Sequence, residues 1–375
     1  MSESKPALVP GLAGIPAAES AISYIDGQAG VLEYRGIPIQ ELTENSTFEE
    51  TAFLLMEGRL PKQDELDAFA AELARARVLP ERLLEIVRSL PPSTHPMAAL
   101  QSLIPLLGAC VEAEEDARAQ ALRLIGATGS LVAAFDRHRR DLPYVEPDLE
   151  LSHAANFLWM LNGEKPAAVA ARTLDVALIL HADHTMNAST FTARVVGSTE
   201  ANAYALCSAA VGSLWGPLHG GANERVLHSL EEIGDASKVK AWFEEKRASK
   251  SKVMGFGHRV YSVKDPRSLC IQGLVRQVFE ELGSTPIYDI ALALEQEVLE
   301  HLGDKGIYPN VDFFSGIVYQ KLGIATDNFT PVFAVARVSG WLSHWMEQMQ
   351  DNRIFRPGQQ YTGERDVRYT PMSAR

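Results

Sequence analysis

Cysteine is scarce in this sequence, and no apolar run approaches the length of about 18 residues that a membrane span requires. Its three cysteines, Cys110, Cys207 and Cys270, lie far apart and form no Cys-x-x-Cys pair. These spacings argue against a disulfide framework or a zinc ribbon and favour a reducing compartment. The first residues also carry no apolar run of signal-peptide length. We therefore expect a soluble, cytoplasmic protein.

Positive charge is also in short supply, because 35 lysines and arginines face 48 acidic residues and the formal net charge is −13. A chain that repels phosphate overall is a poor candidate for general binding to nucleic acid or anionic membranes. The sequence also lacks the GxxxxGK[ST], strand-linked GxGxxG, GxSxG and HExxH motifs. Nucleotide hydrolysis, Rossmann-type hydride transfer, serine hydrolysis and zinc proteolysis therefore lose their usual sequence support.

What the sequence does contain is helical periodicity along almost its whole length. Apolar residues at three- and four-residue spacing predict helices over 49–57, 63–75, 80–89, 116–135, 151–161, 165–194, 200–214, 223–233, 236–248, 265–282, 289–302, 312–322 and 331–349. Strand signals are confined to 22–25 and 31–34, which flank an Asp26-Gly27 turn and predict a small hairpin. The expected fold class is mostly α with a minor N-terminal β-hairpin.

Two breaks in the helical pattern divide the chain into a large and a small part. The Gly-Pro turn at 216–217 and the break near Gly323 bracket about 100 residues, enough for a second domain. We therefore predict a large helical domain formed by residues 1–219 and 323–375 and a small domain formed by residues 220–322. A cleft between them is the natural place for a site, and hinged closure is the natural motion.

Two histidine motifs are candidates for chemistry. His181 and His184 would share one face of a helix, which allows metal ligation; a third ligand is missing, so satisfied packing histidines are the alternative. His219 is followed by Gly220 and Gly221 and then by an apolar helix. Because a helix N-terminus disfavours the cationic form, this histidine would stay neutral and donate a hydrogen bond to a developing oxyanion or enol. An exposed loop histidine is the other interpretation.

A cationic stretch interrupts the acidic background. Residues 246–267 contain one acid, Asp265, and seven cations: Lys246, Arg247, Lys250, Lys252, Arg259, Lys264 and Arg267. This reversal of charge suggests a site for a polyanion, and Gly255 and Gly257 allow close approach of a flat or phosphorylated ligand. A solvated basic helix end is the alternative.

A carboxylate and two arginines complete the candidates. Asp312 lies among apolar residues at the start of a predicted helix, where it is either an N-cap or a poorly solvated and therefore more basic carboxylate. Arg337 lies within an apolar helix, and Arg356 precedes a Pro-Gly turn. A buried arginine needs an anionic partner, and a bound carboxylate would supply one.

Together these residues point to one chemistry. Arginines would hold a dianionic keto acid, a histidine would polarise its carbonyl, and an aspartate would remove a proton from a weak carbon acid. A neutral histidine would stabilise the resulting enol. The basic segment would hold an activating carrier with phosphates, for which coenzyme A is the obvious candidate. The sequence therefore predicts carbon–carbon bond formation from a thioester.

The sequence resembles the citrate synthases of the short bacterial type over nearly the whole chain. The motifs Gly-Pro-Leu-His-Gly-Gly at 216–221, Gly-Phe-Gly-His-Arg-Val-Tyr at 255–261 and Pro-Asn-Val-Asp-Phe at 309–313 occur in the family's order and spacing. The resemblance implies a citrate synthase fold, a homodimer and a place in the tricarboxylic acid cycle. It implies oxaloacetate and acetyl-CoA as substrates, no metal and no permanently bound cofactor.

The same resemblance assigns roles residue by residue. It implies that Asp312 removes the methyl proton of acetyl-CoA, that His219 donates to the enol oxygen, and that His258 polarises and then protonates the oxaloacetate carbonyl. Oxaloacetate would be bound by His184, Arg267, Arg337 and, from the second subunit of a dimer, Arg356. The coenzyme A contacts would be Lys252, Val253, Met254, Gly255, Phe256, Gly257 and Lys305. Ser262 stands where many members place Lys or Arg, and Lys264 can substitute for that phosphate contact.

Three alternatives stay open at this point. A 2-methylcitrate synthase would use the same residues with propionyl-CoA, and one extra methylene in a pocket is worth only about 1–3 kcal/mol. A non-catalytic acyl-CoA or dicarboxylate sensor would share the scaffold; its expected signature is loss of the base, yet Asp312 is present. A metal-dependent enzyme using His181 and His184 would be inactivated by chelators.

Overall fold

The computed structural model describes residues 8–111, 113–258 and 260–375, which form three short strands and sixteen α-helices. The strands are β1 (Ser23–Asp26), β2 (Val31–Tyr34) and β3 (Ile37–Pro38). The helices are α1 (Ile39–Asn45), α2 (Phe48–Glu57), α3 (Gln63–Ala76), α4 (Glu81–Ser89), α5 (Pro96–Ala109), α6 (Ala117–Arg139), α7 (His153–Asn162), α8 (Ala168–His181), α9 (Ala188–Gly197), α10 (Ala203–Trp215), α11 (Ala222–Ile233), α12 (Val239–Ala248), α13 (Pro266–Leu282), α14 (Pro286–Leu302), α15 (Val311–Lys321) and α16 (Phe329–Met349). The expected fold class, mostly α with a small N-terminal β element, is confirmed.

The strands form one antiparallel sheet in the order β1, β2, β3, in which Ser23 pairs with Tyr34. The carboxylate of Asp26 accepts hydrogen bonds from the backbone N–H groups of Gln28 and Ala29, both at 2.9 Å, and thereby holds the turn between β1 and β2. The predicted hairpin is confirmed. The third strand, only two residues long, was not predicted.

Polar side chains define many of the helix starts. Each of them accepts a hydrogen bond from a backbone N–H in the first turn and so replaces a partner that the helix start lacks. These caps are Thr47, Asp116, Ser152, Asn187, Asn202, Asp265, Thr285 and Asn310. The cap at Asn187 begins α9 in the middle of a stretch for which a single helix was predicted.

The predicted single helix over 165–194 is wrong, because α8 ends at His181 and a loop precedes α9. Within this loop Thr185 has a φ of 49°, which no right-handed helix accommodates. Asn187 then accepts a hydrogen bond from the N–H of Thr190 at 3.1 Å and starts the new helix. His181 and His184 therefore do not share a helix face.

Helices α1 and α5 were not predicted. Helix α5 contains Pro105, and an interior proline is ordinarily a sign against a helix because it has no N–H to donate. Its apolar residues are nevertheless buried, among them Leu100, Leu103 and Leu107. Tertiary packing therefore compensates for the proline in this segment.

Helix α16 is the centre of the core. Every residue from Phe329 to Trp345 is buried, and the helix packs against α2, α6, α8, α9 and α10. A helix that is apolar on all sides is stable only when other elements surround it. No helix in the described ranges combines the length and the apolar character needed to cross a membrane.

Helices α11, α12, α14 and α15 pack on one another. Helix α13 packs on α15 and also on α8 and α1, so it joins this group to the rest of the core. The grouping agrees with the proposed boundaries of a small domain at residues 220–322, which remain a prediction.

The close contact between α3 and α6 allows a test of how these two helices pack. An added Cβ at Gly126 would stand 2.6 Å from the Cβ of Ala76 and from the carbonyl oxygen of Leu73. We expect Gly126→Ala to destabilise the fold by about 1–3 kcal/mol, since the two helices must separate, and to lower the midpoint of thermal unfolding. Gly273→Ala in α13 is the control, because nothing lies within 4 Å of its added Cβ. Equal midpoints for Gly126→Ala and the wild type would contradict the packing.

Candidate active site

A buried arginine lies in the middle of α16. Arg337 is 1% exposed, its Nε donates to the carbonyl oxygen of His181 at 2.7 Å, and its guanidinium lies 4.8 Å from the ring centroid of Phe333. No carboxylate among the described residues forms an ion pair with it. Burial lowers the pKa of Arg337 to about 10, opposed chiefly by the charge of Asp183. A guanidinium in such surroundings is suited to bind an anionic ligand.

A second buried arginine has its own carboxylate. Arg267 donates from Nη2 and Nε to the two oxygens of Asp265, at 2.8 and 3.1 Å. The same carboxylate accepts the backbone N–H of Arg267 at 2.9 Å and caps α13. Burial disfavours the charge of Arg267, but Asp265 outweighs it and raises the pKa of the guanidinium. This arginine is therefore held rigidly at the start of its helix.

Backbone N–H groups determine where His258 carries its proton. Its Nδ1 accepts hydrogen bonds from the N–H groups of Val260 at 3.0 Å and Tyr261 at 3.2 Å. Because N–H groups only donate, the proton of the neutral ring is on Nε2. Burial, together with Arg267, lowers the pKa of His258 to about 4, so the ring is neutral at physiological pH. Nη2 of Arg267, which also can only donate, lies 3.3 Å from Nε2, so two donors meet at this point. A ligand oxygen there would accept hydrogen bonds from both.

His219 carries its proton on the other nitrogen. Its Nε2 lies 3.3 Å from the backbone N of Ser189 and 2.9 Å from the Ser189 hydroxyl, which in turn accepts the indole N–H of Trp341 at 3.1 Å. The backbone N–H requires a lone pair on Nε2, so the proton is on Nδ1. Burial, followed by the charge of Arg337, lowers the pKa of His219 to about 4. The ring is therefore neutral at physiological pH, and burial rather than a helix N-terminus is the main cause; its role as a donor stays a prediction.

His184 lies in the loop between α8 and α9. Its Nε2 is 3.2 Å from the hydroxyl of Tyr261, and its ring centroid is 5.6 Å from that of His258. Burial and the charges of Arg267 and Arg337 hold the pKa of His184 well below its usual value. The structure therefore brings His184, His258 and the two arginines into one electrostatic cluster.

His181, which was considered together with His184 as a possible metal ligand, has a different environment. The Nδ1 of His181 lies 2.7 Å from the carbonyl oxygen of Ala177 in the same helix, as expected for a packing histidine. Among the described residues, the group whose ligand atoms lie within 4.8 Å of one another is Glu244, Glu297 and His301. It includes neither histidine of the proposed metal alternative.

Asp312 does not cap α15, because Asn310 does. The side-chain oxygen of Asn310 accepts the N–H groups of Asp312 at 3.1 Å and Phe313 at 3.3 Å, so the N-cap interpretation of Asp312 is wrong. Burial raises the pKa of Asp312 to about 6, opposed by Arg267. The carboxylate is thus ionised at neutral pH and more basic than one at the surface.

The segment that contains Gly255 and Gly257 lies beside the residues that precede α15. The N–H of Gly257 donates to the carbonyl of Tyr308, and the N–H of Asn310 donates to the carbonyl of Gly255, both at 2.9 Å. An added Cβ at Gly255 would stand 2.6 Å from Val226, which explains why this position has no side chain. The neighbouring side chains that pack on the core are Val253, Met254 and Phe256.

The cations around this segment fall into two groups. Lys246 and Arg247 pair with glutamates on α11 and α12, as a solvated helix end would. Lys252 and Lys305 are exposed and form no ion pair with a described residue, so they are available to phosphates. Arg259 lies outside the described residues.

Arg356 is not brought to the other site residues within this chain. It is exposed and makes no hydrogen bond or ion pair with a described residue. Every residue from 356 to 375 is exposed, including Tyr361, Val367, Tyr369 and Met372. A segment with this many exposed apolar side chains is typical of a surface that another chain covers.

Several residues that contact the candidate groups were not predicted as site residues, among them Asp265, Tyr261, Asn310 and Ser189. Tyr261 and Asn310 lie inside the two motifs that carry His258 and Asp312, so the motifs held a signal for them. Ser189 is 30 residues from His219, and no local pattern links the two.

The fold and the site together define a helical enzyme with two buried arginines, neutral histidines and one basic carboxylate. The family model described as "Citrate synthase, C-terminal domain" matches residues 11–358. A citrate synthase from Synechocystis is 48% identical over 97% of this chain and 93% of its own length.

Solved structures agree with this assignment. Citrate synthase from Pyrobaculum aerophilum superposes with a TM-score of 0.92 at 39% identity, covering 98% of this chain and 95% of that one. Citrate synthase from Thermoplasma acidophilum, solved as a ternary complex with carboxymethyl coenzyme A and oxaloacetate, has a TM-score of 0.89 at 31% identity and covers 96% and 98%.

The chain belongs to the citrate synthase family. It is accordingly an acyltransferase that forms a carbon–carbon bond, condensing acetyl-CoA with oxaloacetate to citrate. The predictions of family, fold and reaction are confirmed, and the comparisons do not favour the 2-methylcitrate alternative.

The raised pKa of Asp312 has a consequence for stability. With a pKa of about 6 in the folded state, above its unfolded value, the folded protein binds more protons and loses stability as the pH rises toward 6. Asp312→Asn removes this penalty, so above pH 6 we expect it to be more stable than the wild type by about 1–3 kcal/mol.

Thermal unfolding of the ligand-free protein at about pH 4.5 and about pH 8 measures this difference. The gain should be largest at the higher pH and shrink at the lower one. Asp64→Asn, at an exposed position in α3, is the control and should show no such gain. A gain for Asp312→Asn that grows toward acid pH would contradict the assignment.

Proposed function

We propose that oxaloacetate binds between Arg337, Arg267 and the histidines His184 and His258. The observation that carries this proposal is the buried guanidinium of Arg337, which has no carboxylate partner in the described part of the chain. A dianion supplies the missing negative charge, and arginine binds carboxylates in bidentate geometry. The Thermoplasma acidophilum relative, which was solved with oxaloacetate, supports this choice of ligand.

The proton positions on the histidines then suggest how each one acts. The Nε2–H of His258, beside Arg267, polarises the ketone of oxaloacetate and later protonates the alkoxide formed from it. The Nδ1–H of His219 donates to the thioester oxygen and stabilises the enol, for which a neutral donor is well matched. Both donors are oriented before any ligand binds.

Asp312 removes a methyl proton of acetyl-CoA. Its pKa of about 6 leaves it ionised at neutral pH while making it a stronger base than an exposed aspartate. The enol attacks the polarised ketone, and hydrolysis of the resulting citryl-CoA releases citrate and free coenzyme A.

Coenzyme A lies along residues 252–257, with Lys252 and Lys305 near its phosphates. Hydrogen bonds of Gly255 and Gly257 to the strand-like stretch before α15 support this assignment, because they bring the segment close to Asp312. The two lysines are exposed and cationic in a chain of net negative charge.

The active enzyme is a cytoplasmic homodimer of the tricarboxylic acid cycle that needs no metal and closes a cleft between two domains. The exposed segment 356–375 supports the dimer, because its apolar side chains have no cover within one chain. Arg356 of the partner subunit reaches the oxaloacetate site in this arrangement.

Free coenzyme A, measured with a thiol reagent in the presence of EDTA, tests the role of Asp312. The wild type should turn over oxaloacetate with acetyl-CoA far better than with propionyl-CoA. Asp312→Asn should lower kcat by about 10²–10⁴-fold, since a general base contributes this much, while oxaloacetate binding measured by calorimetry survives.

Asp64→Asn is the matched control and should leave kcat unchanged. Wild-type turnover by Asp312→Asn would rule out the proposed base. Loss of wild-type activity on addition of EDTA would rule out a metal-free reaction, and a preference for propionyl-CoA would reassign the substrate.

Mixing two inactive variants tests whether Arg356 acts across the dimer. If it does, a heterodimer of Arg356→Gln with Asp312→Asn contains one intact site, since one subunit supplies Asp312 and the other Arg356. After unfolding and refolding the two together, we expect about a quarter of wild-type activity. If Arg356 acts within its own chain, every site stays defective and the mixture stays inactive.

A further inference from the structure

The turn of the N-terminal hairpin lies directly against the loop that follows His258. The carbonyl oxygen of Gly27 accepts the N–H of Ser262 at 2.9 Å and its hydroxyl at 3.3 Å. The φ of Gly27 is outside the left-handed region, so its backbone does not require glycine. An added Cβ would instead overlap the carbonyl of Val260. Close approach of the two loops is therefore the reason for glycine at this position.

The loop that Gly27 contacts carries two groups that reach the site. The N–H groups of Val260 and Tyr261 hold Nδ1 of His258, as described above. Tyr261 is 4% exposed, and its hydroxyl lies 3.2 Å from Nε2 of His184. A displacement of this loop would therefore disturb both histidines at once.

The hairpin is also bonded to the other side of the site. The hydroxyl of Ser23 in β1 donates to the buried carboxylate of Asp183 at 2.5 Å, and the hydroxyl of Tyr34 in β2 donates to the carbonyl of Asp183 at 2.9 Å. Asp183 directly precedes His184. The hairpin thus contacts both the loop that carries His184 and the loop that carries Tyr261 and His258.

We propose that this hairpin and Tyr261 position the oxaloacetate site. The turn at Gly27 contacts the loop at residues 260–262 and holds it in place. The hydroxyl of Tyr261 in this loop fixes the orientation of His184. Tyr261 acts through His184 and is a positioning residue. The inference rests on the proposed role of His184 and His258 in oxaloacetate binding and on the two-domain division. In that division residue 27 belongs to the large domain and the loop to the small one, so these contacts join the two domains beside the site.

Tyr261→Phe tests the hydroxyl, because it removes one oxygen and keeps the ring. Loss of one hydrogen bond should raise both the KM and the dissociation constant for oxaloacetate by about 3- to 10-fold. The kcat at saturation should stay within about twofold of the wild type, since the catalytic groups are intact. A merely structural role would lower kcat or the unfolding midpoint instead, and an unchanged dissociation constant for oxaloacetate would overturn the role of Tyr261.

Gly27→Ala tests the hairpin contact, with Gly273→Ala as the control. The added methyl overlaps the carbonyl of Val260, so the two loops must separate. The effect of oxaloacetate on each variant is therefore measured against that variant's own ligand-free unfolding midpoint. Oxaloacetate raises the midpoint of a protein that it binds. We expect most of this rise to be lost in Gly27→Ala and kept in Gly273→Ala, and an equal rise in both would overturn the proposal.

The proposed active site and the proposed positioning role of the hairpin can be tested separately. Turnover that survives in Asp312→Asn would mean that the proposed active site is wrong. Turnover lost in Asp312→Asn, together with wild-type oxaloacetate binding by Tyr261→Phe and Gly27→Ala, would mean that the site is correct and the hairpin has no positioning role.

Discussion

The burial of one positive charge governs the organisation of the site. Arg337 lies in the helix at the centre of the core, where an unpaired charge costs several kcal/mol, and a carbonyl and an aromatic ring are its direct contacts. Burial is the main cause of the low pKa values of His184 and His219, and the charge of Arg337 lowers both further and so favours the neutral forms. This charge also limits the rise in the pKa of Asp312 that burial causes. Burial in the core thus produces both an arginine without a carboxylate partner among the described residues and a set of neutral histidines.

Much of this arrangement follows from local pattern. Helices with regular apolar spacing, such as α3, α6 and α16, form within a few residues of their predicted bounds, because periodicity and side-chain caps act over short distances. The hairpin was predictable for the same reason, since its turn sequence is local. The three motifs around His219, His258 and Asp312 were sufficient to predict the family and its reaction.

The rest depends on contacts between distant residues. In the loop that follows α8, the carboxylate of Asp183 accepts a hydrogen bond from Ser23, 160 residues away, and no periodicity reports such a contact. Helix α5 forms despite Pro105 because neighbouring helices bury its apolar face. Asn310 and Asp312 are equally plausible caps in sequence, and backbone geometry decides between them. Arg356 is exposed and contacts none of the other candidate site residues that the structure describes, so the fold of one chain does not explain its place in the sequence.

Main-chain N–H groups donate to one ring nitrogen of His258 and of His219 and thereby place the proton on the other. Every residue type except proline supplies such a group. Substitutions at positions 189, 260 and 261 can therefore change packing without exchanging the donor and acceptor nitrogens of either ring. The path of the backbone therefore determines which nitrogen of each histidine can donate. A tautomer determined by a partner side chain would be lost when that side chain is substituted, whereas this one is kept.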